Sequence, residues 1–438
     1  MYSISQEKEH VLKSIYEKNG RGIYRRFIHL HDSKADPINR RLPLVDTMDG
    51  SSEMFEFTDI GEAGKLMVRK RPCHQCSCCM RLDAAGCVNT AICGEPEVWE
   101  IPTRSAPRLP TTRRGMAELG KKISKASEAG DYVVVEVANN DGTFLARFRE
   151  AGCRVLGVDP AANIVDVANE AGVETRCDFF DLRVAEEVRA EHGSADVVIA
   201  RNVIPHVKEI HSIIEGMAHL LDDGIAVIEF HTASRIVDEL HYDSIYHEHL
   251  FYFSLSTLAS LCERYGLHAF EVFDSPISGG SRALVLARTA RPVSPALRDG
   301  LAEEEAVGLN GHLAWEAFGR ASSRHALELR DVVRDCSRGS RIVGYGASAR
   351  SSTMLNYAGI TTDDVAAVID ENPYKQGRYT PGTDLAIVSR PEGLDILGRD
   401  GTILLLAWNF ADEILGGLRR DGIANDVIIP LPGPAHMA

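Results

Sequence analysis

The chain has 438 residues, a formal net charge of −15 and 44% apolar residues, an ordinary globular balance. That length is too great for one core and predicts two or three domains, while the acidic excess argues against broad attraction to nucleic acid or to anionic membrane. The N-terminus runs into charged residues without the apolar core of a signal peptide, and no apolar run is long enough to span a bilayer; a cytosolic protein is expected.

Residues 1–64 mix polar runs with short apolar patches and show no convincing period, so they are read as a leader without an assigned role. Residues 65–115 hold six of the ten cysteines, Cys73, Cys76, Cys78, Cys79, Cys87 and Cys93. In a reducing compartment thiolates at C-x2-C spacing close naturally on tetrahedral zinc, and a structural zinc is favoured over a disulfide-linked or reduced loop. Which four cysteines bind, and whether His74 joins them, stays open. Basic residues between 65 and 125 allow an anionic partner there, although a solvated face is the preferred reading.

From residue 116 to 290 the pattern becomes regular α/β. The continuous apolar run 132–137 reads as a strand buried on both faces, Asn140, Asp141 and Gly142 make the following turn, and the second strand, 154–159, ends in Asp159. Such a βαβ unit binds a nucleoside, with the turn letting the ligand approach backbone and the acid accepting ribose hydroxyls. The turn lacks the glycines a pyrophosphate needs, and Glu136 is placed to receive an ammonium group, so S-adenosylmethionine is favoured over a dinucleotide. Ala138 and Asn202 belong to the same expected cofactor site, and Asp178 is a candidate for its adenine end. Further strands are expected at 195–200 and 224–230, with a closing hairpin at 269–273 and 282–287.

A helical stretch within 291–338 leads to a second α/β unit, 339–438. Its first strand enters the Gly344-Tyr345-Gly346 turn, residues 347–353 open a helix suited to holding a phosphate, and the next strand is 365–370. A lone GxG is weak support for a dinucleotide. Beyond it, Lys375 and Arg378 on a turn-rich loop would face an anionic ligand at the switch point. Trp408-Asn409 reads equally as a cap for the helix that follows.

Tyr246-His247-Glu248-His249 puts two imidazoles, a carboxylate and a phenol within four residues, able to move protons near neutral pH. An aromatic edge packed on a core and a His-x-His metal pair are the competing readings. The words 140–145, 202–207, 246–255, 344–347, 372–383 and 408–409 occur in one order and together resemble the deoxysugar C-methyltransferase family. These are S-adenosylmethionine enzymes that methylate a ring carbon of nucleotide-linked keto sugars.

The resemblance implies a class I methyltransferase Rossmann-like domain followed by a C-terminal Rossmann-like domain that holds a sugar nucleotide, behind a small zinc-type module. It makes His249 the general base, with Tyr246, Glu248 and His206 around it. Substrate contacts fall to His247, Tyr345, Ala347, Ser348, Arg350, Asn372, Lys375 and Arg378. Three features depart from the family: Ala138 stands where glycine is usual, the cysteines form one dense cluster, and His231-Thr232 replaces a proline-containing turn. Two alternatives remain: a nicotinamide-dependent oxidoreductase using the Gly344 turn, and a non-catalytic methyltransferase-fold binding protein.

Overall fold

A computed structural model describes residues 132–437, except 247, 248, 276–278 and 374, together with the backbone of three strands nearer the N-terminus. The cysteine cluster with its expected metal, His247 and Glu248 lie outside the described residues. The three strands are β1 (Arg41–Pro43), β2 (Met54–Ile60) and β3 (Leu66–Arg69), paired antiparallel in that order. They fall in and just beyond a stretch where no period is legible, because three short strands alternate too briefly to stand out.

The first large sheet contains β4 (Val133–Val137), β5 (Arg154–Asp159), β6 (Thr175–Cys177), β7 (Ala195–Arg201), β8 (Leu221–His231), β9 (His268–Ser275) and β10 (Ser281–Ala287), in the order β6-β5-β4-β7-β8-β10-β9. Strands β4 to β8 are parallel and β9–β10 form the antiparallel hairpin at one edge. Strand β4 is buried on both faces, which is why its apolar run is unbroken. Val133, Val135 and Val137 pack on one side, and Val134 joins Phe144, Leu145 and Phe148 on the other. The strand order reverses beside β4, so a crevice opens at the carboxyl ends of β4 and β7.

The second sheet contains β11 (Ile342–Tyr345), β12 (Ala367–Ile369), β13 (Arg378–Tyr379), β14 (Ala386–Val388), β15 (Thr402–Leu404), β16 (Asp426–Ile429) and β17 (Ala435–Met437). Its order is β13-β14-β12-β11-β15-β16-β17, with antiparallel strands only at the two edges. This is a second open α/β sheet, with its own switch point beside β11.

The helical stretch expected between the sheets is two helices, Pro295–Ala306 and His312–Ser337. The break comes at Gly308, whose φ of +60° suits glycine and ends the first helix. Buried Glu304 accepts from the backbone amides of Leu255 (2.7 Å) and Ser256 (3.1 Å) and so caps helix Leu255–Glu263. One apolar cluster crosses between the units: Ile236, Tyr242, Ile245 and Tyr252 from the first pack with Phe318, Met354 and Tyr357. Among the described residues, no helix is long and apolar enough to cross a membrane.

Candidate active site

The crevice at β4 is shaped by left-handed backbone. Ala138, Asn140 and Gly142 have φ of +56°, +54° and +72°, coiling the chain tightly after the strand. Asn139 turns inward, where its amide donates to Thr175 Oγ1 at 2.9 Å; a Cβ on Gly157 would come within 2.2 Å of that side chain. Glycine at 157 is therefore what lets Asn139 lock the turn. Asp159 accepts from the amides of Asn140 (3.0 Å) and Ala161 (2.9 Å), tying the ends of β4 and β5 together. Burial raises its pKa, with the two amides opposing and Asp141 adding to the rise. Each carboxylate oxygen has two lone pairs, so capacity remains for ribose hydroxyls. Asp141 accepts from the Thr143 amide within the same turn.

Glu136 is in the crevice wall but has company the sequence did not reveal. The Arg201 guanidinium lies 3.5 Å from it, bonds Glu229 at 2.9 Å and covers the Phe144 ring at 4.1 Å. Glu229 in turn accepts from Ser275 Oγ at 2.5 Å. Thus the expected ammonium acceptor already faces a cation of the protein. Charged residues inside the apolar runs of β7 and β8 were the available signal for this network. Asn202, at φ +51°, follows Arg201 and donates its amide to the Glu229 carbonyl.

At the far end of the crevice Asp178 is held by Arg183 (3.0 Å) and Arg176 (3.3 Å). Burial raises its pKa, but the guanidiniums and the Phe179 amide outweigh that and hold the carboxyl below its usual range. Its charge is thus largely engaged. The neighbouring Phe179 is 54% exposed, an aromatic face at the position where a purine is expected.

Tyr246 and His249 lie on a loop, not on a strand. Pro205, in the 3-10 turn Ile204–His206, accepts through its carbonyl from the amides of Leu250 (2.8 Å) and Phe251 (3.2 Å). This docking brings His206 against His249, with ring centroids 4.7 Å apart and edge to face. His249 has its Nδ1 2.9 Å from the Ser244 carbonyl, an acceptor only, so Nδ1 carries the proton. The Nε2 lone pair then accepts from Tyr246 Oη at 3.0 Å. Both rings are half-buried, accessible and oriented. His231, ending β8, contacts His241 across 3.0 Å between ring nitrogens, and Thr232 caps helix Ala233–Asp238 where a proline-containing turn was expected.

The C-terminal unit meets this loop directly. Arg350 holds Asp243 through Nε (3.0 Å) and Nη2 (2.9 Å), and Trp408 Nε1 donates to the same carboxylate at 2.8 Å. Trp408 is therefore not a helix cap: helix Ala411–Arg420 has Phe410 at its N-cap and no side-chain cap bond. Gly346 permits the approach, since a Cβ there would come within 2.5 Å of the Ala407 Cβ. In the Gly344 turn the Ala347 amide is taken by Asp370 (2.8 Å), and Ser348 caps helix Ala349–Ala358. Lys375 Nζ sits 2.5 Å from the Ala347 carbonyl and 3.4 Å from Asp370. Tyr345 donates to Glu371 at 2.6 Å, Asn372 is buried beside Asp370, and Arg378 is half-buried on β13. The structure thus brings Tyr345, Ala347, Ser348, Asn372, Lys375 and Arg378 to one end of the second sheet, while Arg350 reaches out to the first unit.

Known proteins match along both units. Residues 110–272 match a family described as methyltransferase domain, and residues 276–432 match one described as C-methyltransferase C-terminal domain. The C-methyltransferase NovU of Streptomyces niveus is 34% identical over 308 residues, 69% of this chain and 73% of that protein. Among solved structures, magnesium protoporphyrin IX methyltransferase from Synechocystis PCC 6803 has 15% identity and a TM-score of 0.32, covering 41% of this chain and 82% of its own. The PH0226 protein of Pyrococcus horikoshii has 16% identity and a TM-score of 0.35, covering 42% and 93%. Neither structure, at that distance, bears on the chemistry. With both domains matched in order and a relative at that identity over most of its length, the chain belongs to the S-adenosylmethionine-dependent C-methyltransferases.

Proposed function

We propose that the protein methylates a ring carbon of a nucleotide-linked keto-deoxysugar, with His249 as the base. The observation that carries this is the tautomer of His249: a proton pinned on Nδ1 by the Ser244 carbonyl leaves a basic lone pair on a half-buried Nε2. Carbon becomes nucleophilic when a proton α to a carbonyl is removed, and an oriented imidazole is suited to take it. The turn at 138–142, the Asp159 carboxylate, Glu136, Asn202 and the Phe179 face fit an adenosyl ligand, with Asp178 at its adenine end. When bound, S-adenosylmethionine supplies an electrophilic methyl group.

In this reading Nε2 of His249 takes the α proton and the electron pair moves onto the sugar carbonyl oxygen as an enolate. Tyr246 turns its hydroxyl from Nε2 to that oxygen, and His206 offers a second donor. With S-adenosylmethionine bound, the enolate carbon would form a bond to the methyl as the methyl–sulfur bond breaks, leaving S-adenosylhomocysteine, and the imidazolium would return its proton to solvent. Lys375 and Arg378 contact the diphosphate, and Tyr345, Ala347, Ser348 and Asn372 line the nucleotide side. In the same reading His247 is a substrate contact and Glu248 a neighbour of the base, and Arg350 supports the loop through Asp243. We place the domain divisions at 1–64, 65–115, 116–290, 291–338 and 339–438, with four cysteines of the 73–93 cluster holding a structural zinc.

The test is methyl transfer from labelled S-adenosylmethionine to a panel of nucleoside-diphosphate 4-keto-6-deoxyhexoses, with the product read by NMR. A new methyl bonded to ring carbon supports the proposal. A methyl on oxygen, or none on any keto sugar while another acceptor class is methylated, refutes it.

A further inference from the structure

Residues 242–244 form a single 3-10 turn that faces both units at once. Tyr242, fully buried, donates through Oη to His325 Nδ1 at 3.0 Å, and His325 Nε2 donates to the Pro430 carbonyl at 2.6 Å. Asp243, equally buried, receives Arg350 in a two-pronged pair and Trp408 Nε1 besides. Ser244, next in the turn, offers the carbonyl that holds His249 Nδ1. Two side chains of one turn are thus anchored beyond the first unit, Tyr242 on His325 of helix His312–Ser337 and Asp243 on Arg350 and Trp408 of the C-terminal unit, while the turn's last carbonyl orients the imidazole.

A guanidinium–carboxylate fork fixes direction as well as distance, and it is stiffest where water is excluded. A three-residue turn has no slack to absorb a shift of its central carboxylate, so the Ser244 carbonyl moves with Asp243. We propose that Asp243 is a positioning residue for methyl transfer: its clamp on Arg350 and Trp408 holds the Ser244 carbonyl, which sets the tautomer and aim of His249. Docking of the C-terminal unit and readiness of the base are then one event. The inference rests on the reading of His249 as the base.

The test is ¹⁵N NMR of histidine-labelled full-length protein, with the His249 signals assigned by their loss in His249→Gln. Wild type should show one His249 tautomer, protonated on Nδ1. Asp243→Asn keeps the shape but replaces one acceptor oxygen by a donor, and Trp408→Phe keeps an aromatic ring, smaller than indole, but removes the N–H. Both should give mixed tautomers and a moved His249 titration midpoint, while kcat for methyl transfer falls about tenfold and KM stays within about twofold. An unchanged tautomer and midpoint in whichever variant folds overturns the proposal. If His249→Gln retains full methyl transfer, the base reading falls instead, whatever the tautomer data show.

Discussion

At His249 the fold settles which ring nitrogen holds the proton, a choice set by the hydrogen bond the ring makes. The Ser244 carbonyl can only accept, so the lone pair is presented on Nε2, next to Tyr246 and facing His206. At Ala138 the fold asks more of its residue. A φ of +56° costs a residue with a Cβ about 1 kcal/mol relative to glycine. Ala138→Gly should therefore stabilise the protein by about 1 kcal/mol, less the extra freedom glycine gains when unfolded, and tighten S-adenosylhomocysteine binding. Chemical denaturation and calorimetric titration check both; a destabilised variant with weaker binding would show that the methyl side chain is part of the pocket wall.

Among the elements, the turn after β11 has a purpose that its glycines alone did not disclose. Gly344-Tyr345-Gly346 looks like a dinucleotide turn, yet Asp370 takes the Ala347 amide and Gly346 makes room for Ala407. The glycine serves the packing that places Trp408 against Asp243. Gly346→Ala meets a Cβ at 2.5 Å and a φ of +99°, so it should cost about 2 kcal/mol and change the tryptophan emission of the folded state. Unaltered emission with unaltered melting would mean that the 407–408 segment relaxes freely.

Most of this level was legible. Strands β4, β5, β7, β8, β11 and β12 announce themselves as apolar runs because burial on both faces demands it. The hairpin β9–β10 is marked by its glycine pair. The pairings in the Arg201–Glu136–Glu229 network and in the Asp243 clamp were not legible, although charges in apolar runs marked the first, since both join residues far apart in sequence, and spacing says nothing of which strands become neighbours. The tyrosine–histidine loop was legible in composition but not in conformation: it lies against the Ile204–His206 turn through two backbone bonds, which side-chain pattern does not encode.

Across the molecule, the helix and loop that follow β8 share an apolar cluster with the second unit, and beside it runs a buried polar seam. His231 and His241 lie in that seam, 3.0 Å apart between ring nitrogens, and Trp408 packs on His241 with centroids 4.7 Å apart. Burial, then the Arg350 charge, depresses both: His231 falls well below the usual imidazole value and His241 falls to about 4. The unfolded chain binds protons that the folded seam refuses, so stability is full above the ordinary imidazole pKa and is lost as pH drops toward about 4. The slope in that window should reach about 1.4 kcal/mol per pH unit for each histidine. His241→Gln should flatten it, as measured by denaturation at a series of pH values. An unchanged slope would place the acid sensitivity elsewhere.

The central claim is that His249 takes a proton from carbon next to a carbonyl, and proton exchange reads that step without methyl transfer. With S-adenosylhomocysteine filling the cofactor site, a nucleoside-diphosphate 4-keto-6-deoxyhexose that the enzyme methylates is incubated in heavy water and its ring protons are followed by NMR. Wild type should exchange one proton α to the carbonyl, and His249→Gln should slow that exchange by about 10³-fold with S-adenosylhomocysteine affinity unchanged. Equal exchange in the two proteins would contradict the account.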